Sequence, residues 1–584
     1  MDCCEKSSMA ETPEIAYALL FKAAVAIPAL HYLLGLAIVC AISLYRFLEL
    51  HLLHDLLFGF RGDPVSLTYN PCSEIYHGVV SKCRVIHSRY LTTPWLSSPH
   101  LQTSFINFFG RPPVFTYRRQ IFNASDGGTF ALDWVLKSDV SGTATDKNIT
   151  ISKDDTTPIV VVIPGLTSDS ASPYLKHLAF NTAKCGWNVV VSNHRGLGGV
   201  SVTSDALYNA GWTEDIRNVI KYLHKEYPKV PIFVIGTSIG ANILVKYLGE
   251  DGDNVPVAGA VAVCSPWDLL IGSRFISRRL VQRFYDRALT IGLQGYAYMH
   301  EPHLSRLANW DGIVKSRTIR DFDTHATCLV GKFETVDSYY RHSSSSPYLG
   351  LVSVPLLCIS ALDDPVCTAE AIPWDECRAN KNVVLAVSKH GGHLAFFEGV
   401  AASSLWWVRA ANEFIGVLHS SPFMHKPKQQ AEKHSVHSQS MECSMDRGPY
   451  ISMADGMVAP MKDDNVSSST NANAEEEEDA QHLKNIKIIA APGGGGGGGG
   501  GGESSNNNST AELSDDDASK ASPPPLDRSG FLNSCLGHLT RQSRRSIWLL
   551  AYIALVSSWP LAAPVLRFLF KKRGRKTSPP THSH

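Results

Sequence analysis

The chain has 584 residues, 44% of them hydrophobic and 18% charged, which permits a large buried core and excludes a wholly disordered protein. Lys plus Arg equals Asp plus Glu at 54 each, so the chain is not a polycation of the kind that binds nucleic acid. Its 13 cysteines form no CxxC pair and no metal spacing, which argues for buried, reduced thiols rather than a disulfide scaffold.

Residues 1–22 read as an N-terminal tail. Residues 23–44 (AAVAIPALHYLLGLAIVCAISL) hold no charge, and 22 residues of helix match the hydrocarbon thickness of a bilayer. Glu5, Glu11 and Glu14 precede the run and no small-residue cleavage site follows it, so the reading is an uncleaved transmembrane anchor rather than a signal peptide. Basic residues are sparse on both flanks, so the positive-inside rule assigns no orientation. The expected location is a membrane, the endoplasmic reticulum or another endomembrane. Sequons at Asn123 and Asn148 are usable only if the body is lumenal. Residues 45–93 read as a connector.

From 94 to 418 the texture is that of one compact domain. Asp126-Gly127-Gly128 separates two alternating runs, 118–123 and 129–136, as a hairpin does. Short apolar β-branched runs follow at 158–164, 188–192, 231–236, 258–264, 355–362 and 383–387, with helix-period stretches between them. Ile216, Val219, Ile220 and Leu223 fall at i, i+3, i+4 and i+7, one face of a helix. Continuous apolar strands alternating with helices predict an α/β fold, with a mostly parallel sheet covered on both faces. Residues 266–353 contain no clear strand and are too many for a plain loop, so they read as a cap inserted between strands 6 and 7, counted from residue 118. Within it, Arg274, Arg278, Arg279, Arg283 and Arg287 interleave with apolar residues, which predicts a basic amphipathic helix.

Residues 419–530 carry an acidic run, ten consecutive glycines and Ser-rich patches, the composition of a disordered linker. Residues 547–570 are a second apolar stretch, interrupted by Pro560, Pro564 and Arg567, and residues 571–584 form a basic tail. The composition fits a span or an interfacial segment equally well.

The chemistry concentrates in three loops. Gly236-Thr237-Ser238-Ile239-Gly240 follows an apolar strand and opens a helix, the context in which GxSxG acts as a nucleophile elbow. A serine needs a base, and the base an orienting carboxylate. Asp363-Asp364 follows the strand ending at 362, and His390-Gly391-Gly392-His393 follows the strand ending at 387. The chain order Ser, acid, His and the loops at strand C-termini agree with an acyl-transfer triad. Asp364 is the favoured acid, with Asp363 as a capping residue, and His393 is the favoured base because the two glycines let it swing over Ser238. The oxyanion donors expected are the N–H groups of Ile239 and of Leu166, the latter in the turn Pro164-Gly165-Leu166-Thr167. His177, His194 and Arg195 read as loop-packing residues. No metal or cofactor is expected, since no His/Asp/Glu cluster has ligand spacing and no Gly-rich loop has a phosphate-cradle context.

These residues resemble the α/β-hydrolase superfamily, and within it the family-4 branch of membrane-anchored animal proteins, bacterial esterases and plant embryogenesis-associated proteins. The resemblance is carried by Trp95-Leu96-Ser97-Ser98-Pro99-His100-Leu101-Gln102-Thr103, Pro164-Gly165-Leu166-Thr167 and Asn193-His194-Arg195-Gly196. It is carried further by the elbow, by Ser265-Pro266-Trp267-Asp268 and by the His393 loop. One departure is Ser168-Asp169-Ser170, where bacterial relatives commonly carry glycines. The resemblance implies a membrane-associated hydrolase of carboxylic esters, of the carboxylesterase, lipase or phospholipase kind, with Ser238, Asp364 and His393 as its triad. The partners implied are a lipid or acyl-ester substrate and a membrane. The alternatives are a lipid acyltransferase, for which His393 to Glu398 reads HxxxxE in place of HxxxxD, and a non-catalytic membrane scaffold.

Overall fold

A computed structural model describes residues 13–140, 151–152 and 154–427. Residues 428–530 of the expected linker, the second apolar segment, the basic tail and the sequon at Asn148 lie outside the described residues, whereas residues 419–427, expected as linker, are described, with Phe423 and Met424 packed on the core and the His425 N–H donating to Ala258 O at 3.0 Å.

A nine-stranded sheet carries the domain. Eight of its strands are those expected: β1 (Arg118–Asn123), β2 (Thr129–Val135), β3 (Ile159–Ile163), β4 (Asn188–Ser192), β5 (Ile232–Thr237), β6 (Gly259–Val263), β7 (Leu356–Ala361) and β8 (Val383–Ser388). They lie in the order β8-β7-β6-β5-β3-β4-β2-β1. The six from β8 to β4 are parallel, whereas β2 runs antiparallel to β4, and β1 to β2. Every residue of β3 to β8 is buried, as expected for strands covered on both faces. Alternate side chains divide between two cores. Val161, Ile163 and Val234 meet the helices Glu214–Glu226 and Ile239–Asp251, while Val160, Val162 and Ile235 meet the helix Trp406–His419. The chain leaves β3 in one direction to β4 and returns across it to β5. The crevice of the sheet therefore opens between the C-terminal ends of β3 and β5.

Two expectations at the N-terminus are corrected. The anchor expected over 23–44 is two helices, Pro13–Ala26 and Ala29–Phe47, broken at Ile27-Pro28. Proline lacks the N–H a continuing helix needs and pushes the residue before it out of the helical region. The helix long and apolar enough to cross a membrane is the second, 19 residues with none buried in the protein. Residues 45–93 are not merely a connector. Ser66–Tyr69 adds the ninth strand, antiparallel to β8, and Ile75, Val79, Val80, Cys83 and Ile86 join the core beneath Trp406–His419.

The insertion between β6 and β7 is helical, running from Leu269–Ile276 through Leu280–Met299 to Val336–Ser343. The single basic helix expected there is interrupted at residues 277–279. Its arginines turn to intramolecular partners: Arg278 to Glu370, Arg279 toward Glu49, and Arg283 and Arg287 to the carbonyls of Ser277 and Ser316.

Candidate active site

Strand β5 ends at Thr237 and the next helix begins at Ile239, so Ser238 makes the turn alone, at φ 53° and ψ −123°. A residue with a side chain is strained there by about 1–3 kcal/mol. The sheet holds the strain in place, because the Ser238 N–H donates to Val263 O at 2.8 Å and the Thr237 hydroxyl to Ile163 O at 3.0 Å. A Cβ on Gly236 would meet Gly240 O at 2.5 Å, and one on Gly240 would meet Ile163 O at 2.4 Å, so strand and helix close up only over hydrogen side chains.

The loop after β8 carries His393 to the serine. Its Nε2 lies 2.9 Å from Ser238 Oγ, and its Nδ1 lies 2.8 Å from Asp364 Oδ2. Asp364 is buried at the end of β7, and its Oδ1 accepts the N–H groups of Val366 (2.8 Å) and Cys367 (2.9 Å). Those bonds leave Oδ2 aimed at the imidazole. Ser238, His393 and Asp364 are thus brought into one hydrogen-bonded chain.

Asp363 points elsewhere. It accepts the Gly392 N–H at 3.0 Å, the capping contact expected of it, and also pairs with His390 Nδ1 at 3.2 Å. Burial raises its carboxyl pKa.

The turn after β3 faces Ser238 from across the crevice. Here Gly165 N–H donates to Tyr174 Oη (2.9 Å) and Thr167 N–H to Tyr208 Oη (3.2 Å). Among the described residues the N–H groups of Leu166 and Ile239 have no acceptor. A Cβ on Gly165 would lie 3.3 Å from Ser238 Cβ, which measures how closely the turn approaches the serine. Around it, the Leu166 side chain packs against cap residues Leu293 and Ala297 and, with Leu269, Leu270 and Phe333, against the cluster that contains Ile239. The side chains of Leu166 and Ile239 therefore lie among apolar neighbours. Of Ser168-Asp169-Ser170, Ser170 turns to other partners, its hydroxyl donating to Asp133 Oδ2 at 2.5 Å and its N–H to Asn193 Oδ1 at 2.9 Å, while Ser168 Oγ lies 3.7 Å from where a Cβ on Gly165 would stand.

The model of the alpha/beta hydrolase fold family matches residues 158–400. The embryogenesis-associated protein EMB8 of Picea glauca is 34% identical over 349 residues, which cover 59% of this chain and 75% of that protein. The chain belongs to the α/β-hydrolase superfamily. Its match to this fold family, together with relatives named for lipase and phospholipase activity, makes the chain an ester-cleaving hydrolase. It is also similar to phospholipase ABHD3 of Homo sapiens, 28% identical over 64% of this chain and 96% of that one. Monoacylglycerol lipase of Saccharomyces cerevisiae is 29% identical over 46% of this chain and 61% of that one.

Four residues around the hydrolase site escaped sequence reasoning. Thr103 Oγ1 accepts the His393 N–H at 2.9 Å, which gives the Trp95–Thr103 motif its place beside the loop. Cys264, just past β6, has its sulfur within 4.8 Å of atoms of both Asp364 and His393, and burial, then the Asp364 charge, pushes its thiol well above its ordinary pKa. His390 and His51 form the third feature, a stacked pair with ring centroids 3.8 Å apart. No spacing rule links residues 51, 103, 264 and 390, so only the topology could bring them together. The loop-packing residues behave as expected: His194 Nε2 lies 2.9 Å from Pro164 O, His177 Nε2 lies 2.7 Å from Gly110 O, and buried Arg195 pairs with Asp126 and Asp215.

Proposed function

We propose that this hydrolase is a membrane-anchored serine esterase of the lipase or phospholipase kind, and that Ser238, His393 and Asp364 are its catalytic triad. The observation that carries the reading is the pair of distances at His393, 2.9 Å to the serine oxygen and 2.8 Å to the carboxylate. Ser238 Oγ attacks the ester carbonyl as His393 Nε2 takes its proton, while Asp364 fixes the imidazole and stabilises the imidazolium. The N–H groups of Leu166 and Ile239 receive the oxyanion, each worth about 3 kcal/mol of barrier. His393 then protonates the leaving alcohol, and a water, activated by the same imidazole, releases the acid from Ser238.

A lipid substrate is supported by the apolar surroundings of Leu166 and by the relatives, two of which are named for phospholipase and monoacylglycerol lipase activity. Membrane attachment is supported by the helix Ala29–Phe47, unburied and about 28 Å long at 1.5 Å per residue. Glu398, on which the acyltransferase alternative turns, is engaged by the Ser404 hydroxyl at 2.7 Å and by Arg409 at 2.8 Å.

The test is fluorophosphonate labelling of membranes carrying the full chain or S238A, followed by glycerolipid and phospholipid esters of rising acyl length. Labelling of the wild type alone, with release of free fatty acid, is the expected result. Equal labelling of both proteins removes Ser238 as nucleophile. Labelling without hydrolysis of any lipid ester removes the substrate reading.

A further inference from the structure

The loop that presents His393 has a second anchor, and that anchor reaches the N-terminal segment. His390, three residues before His393, donates from Nδ1 to Asp363 Oδ2 at 3.2 Å, and Asp363 Oδ1 accepts the N–H of Gly392, the residue before His393. The adjacent carboxylates thus hold the same loop at two points, Asp364 through the imidazole of His393 and Asp363 through its backbone and His390. On its other face the His390 ring lies flat on His51, with centroids 3.8 Å apart and planes 12° from parallel.

His51 is four residues beyond the end of the exposed apolar helix. It is 92% buried by its neighbours (8% exposed), and neither of its ring nitrogens has a hydrogen-bond partner among the described residues. Its backbone N–H donates to Ser97 O at 3.1 Å. Asp55 lies 3.4 Å from His51 Nε2 with His54 beside it. Asp63 lies 3.6 Å from His390 Nε2 with Lys389 beside it, and Glu49, paired loosely with Arg279, faces the same cluster. Burial, then the proximity of His390, lowers the His51 pKa to about 3.

We propose that Asp363 and His390 are positioning residues for the catalytic loop, and that His51 clamps them from the membrane-proximal segment. On this reading, which rests on the triad assignment, the segment leaving the apolar helix is a working part of the active site. It sets the orientation of His393 over Ser238.

The experiment uses the full chain in membranes, with D363N, H390A, H51A, H51F and the H51A/H390A pair, and S238A as control. Steady-state kcat and KM on a short-chain ester and the fluorophosphonate labelling rate are measured. Misplacing a general base by a fraction of an ångström lowers rate more than binding. D363N, H390A and H51A should therefore lose about tenfold to a hundredfold in kcat and in labelling rate, with KM within about twofold. H51F, which keeps a flat ring against His390, should recover most of the H51A loss, and the pair should lose no more than the worse single variant. Wild-type kcat in H51A, losses that multiply in the pair, or a change confined to KM overturns the proposal. If H51A or H390A fails to fold, H51F and D363N decide it: loss of rate in H51F or wild-type kcat in D363N overturns it. Failure of the triad reading is separate, because S238A would then label like the wild type.

Discussion

At the scale of single residues, the site divides two adjacent carboxylates between two histidines, and the division predicts unequal consequences. Asp364→Asn deprives His393 of the acceptor that fixes its tautomer and should lower kcat by about four orders of magnitude. Asp363→Asn leaves that bond intact, so steady-state kinetics of the two variants should differ by a hundredfold or more. Parity between them would reverse the assignment of the acid. Gly165 offers a second test. An alanine there would set its Cβ 3.3 Å from Ser238 Cβ and 3.0 Å from the Tyr174 hydroxyl, forcing the turn and the serine apart. Gly165→Ala should unfold at nearly the wild-type temperature while kcat falls about tenfold to a hundredfold, as when an oxyanion donor is lost. The residues of this constellation could be read in advance because each ends an apolar run whose character as a strand was plain. The roles of Thr103, Cys264, His390 and His51 depend on which loops meet at one end of the sheet, and no local pattern encodes that.

Among the elements, the cap holds a buried acid that should make its packing depend on pH. Asp323 accepts the hydroxyls of Thr327 (2.6 Å) and Tyr340 (2.7 Å), yet burial pushes its carboxyl up to about 6. The folded value lies above the unfolded one, so the folded state binds the extra proton between them. Stability is then lost as pH rises from about 4 through about 6, by up to about 3 kcal/mol. Unfolding measured across that range should show the dependence in the wild type, and Asp323→Asn should flatten it, with the variant gaining relative stability at neutral pH. Sequence periodicity found the strands and the helix faces, because β-branched runs and a 3.6-residue repeat are local signals. It missed Ser66–Tyr69, a four-residue edge strand of mixed polarity whose identity comes from pairing with β8. It also ran the basic stretch of the cap through residues 277–279 as one helix, since nothing there but the fold itself interrupts the pattern. Pro28 was visible but underweighted, and it moves the membrane-length helix by six residues at its start.

For the molecule as a whole, one short stretch of chain joins the proposed anchor to the proposed active site. Among the described residues nothing buries the helix Ala29–Phe47, and on the proposed reading a bilayer supplies its apolar surrounding. The full chain should stay in the membrane pellet through alkaline extraction, and replacing four of its leucines and isoleucines by serine should release it into the supernatant. The helix has no loose leash behind it. The Ser98 hydroxyl donates to Leu48 O at 2.5 Å, one residue past the helix end, and the His51 N–H is docked three residues later. An enzyme anchored as proposed, and fastened this closely, would draw on molecules that share its own bilayer. Its encounters with substrate would then be two-dimensional, and its rate would follow the mole fraction of the lipid in that sheet. Diluting the vesicles at constant composition would leave turnover unchanged, while diluting the substrate with inert lipid would lower it in proportion.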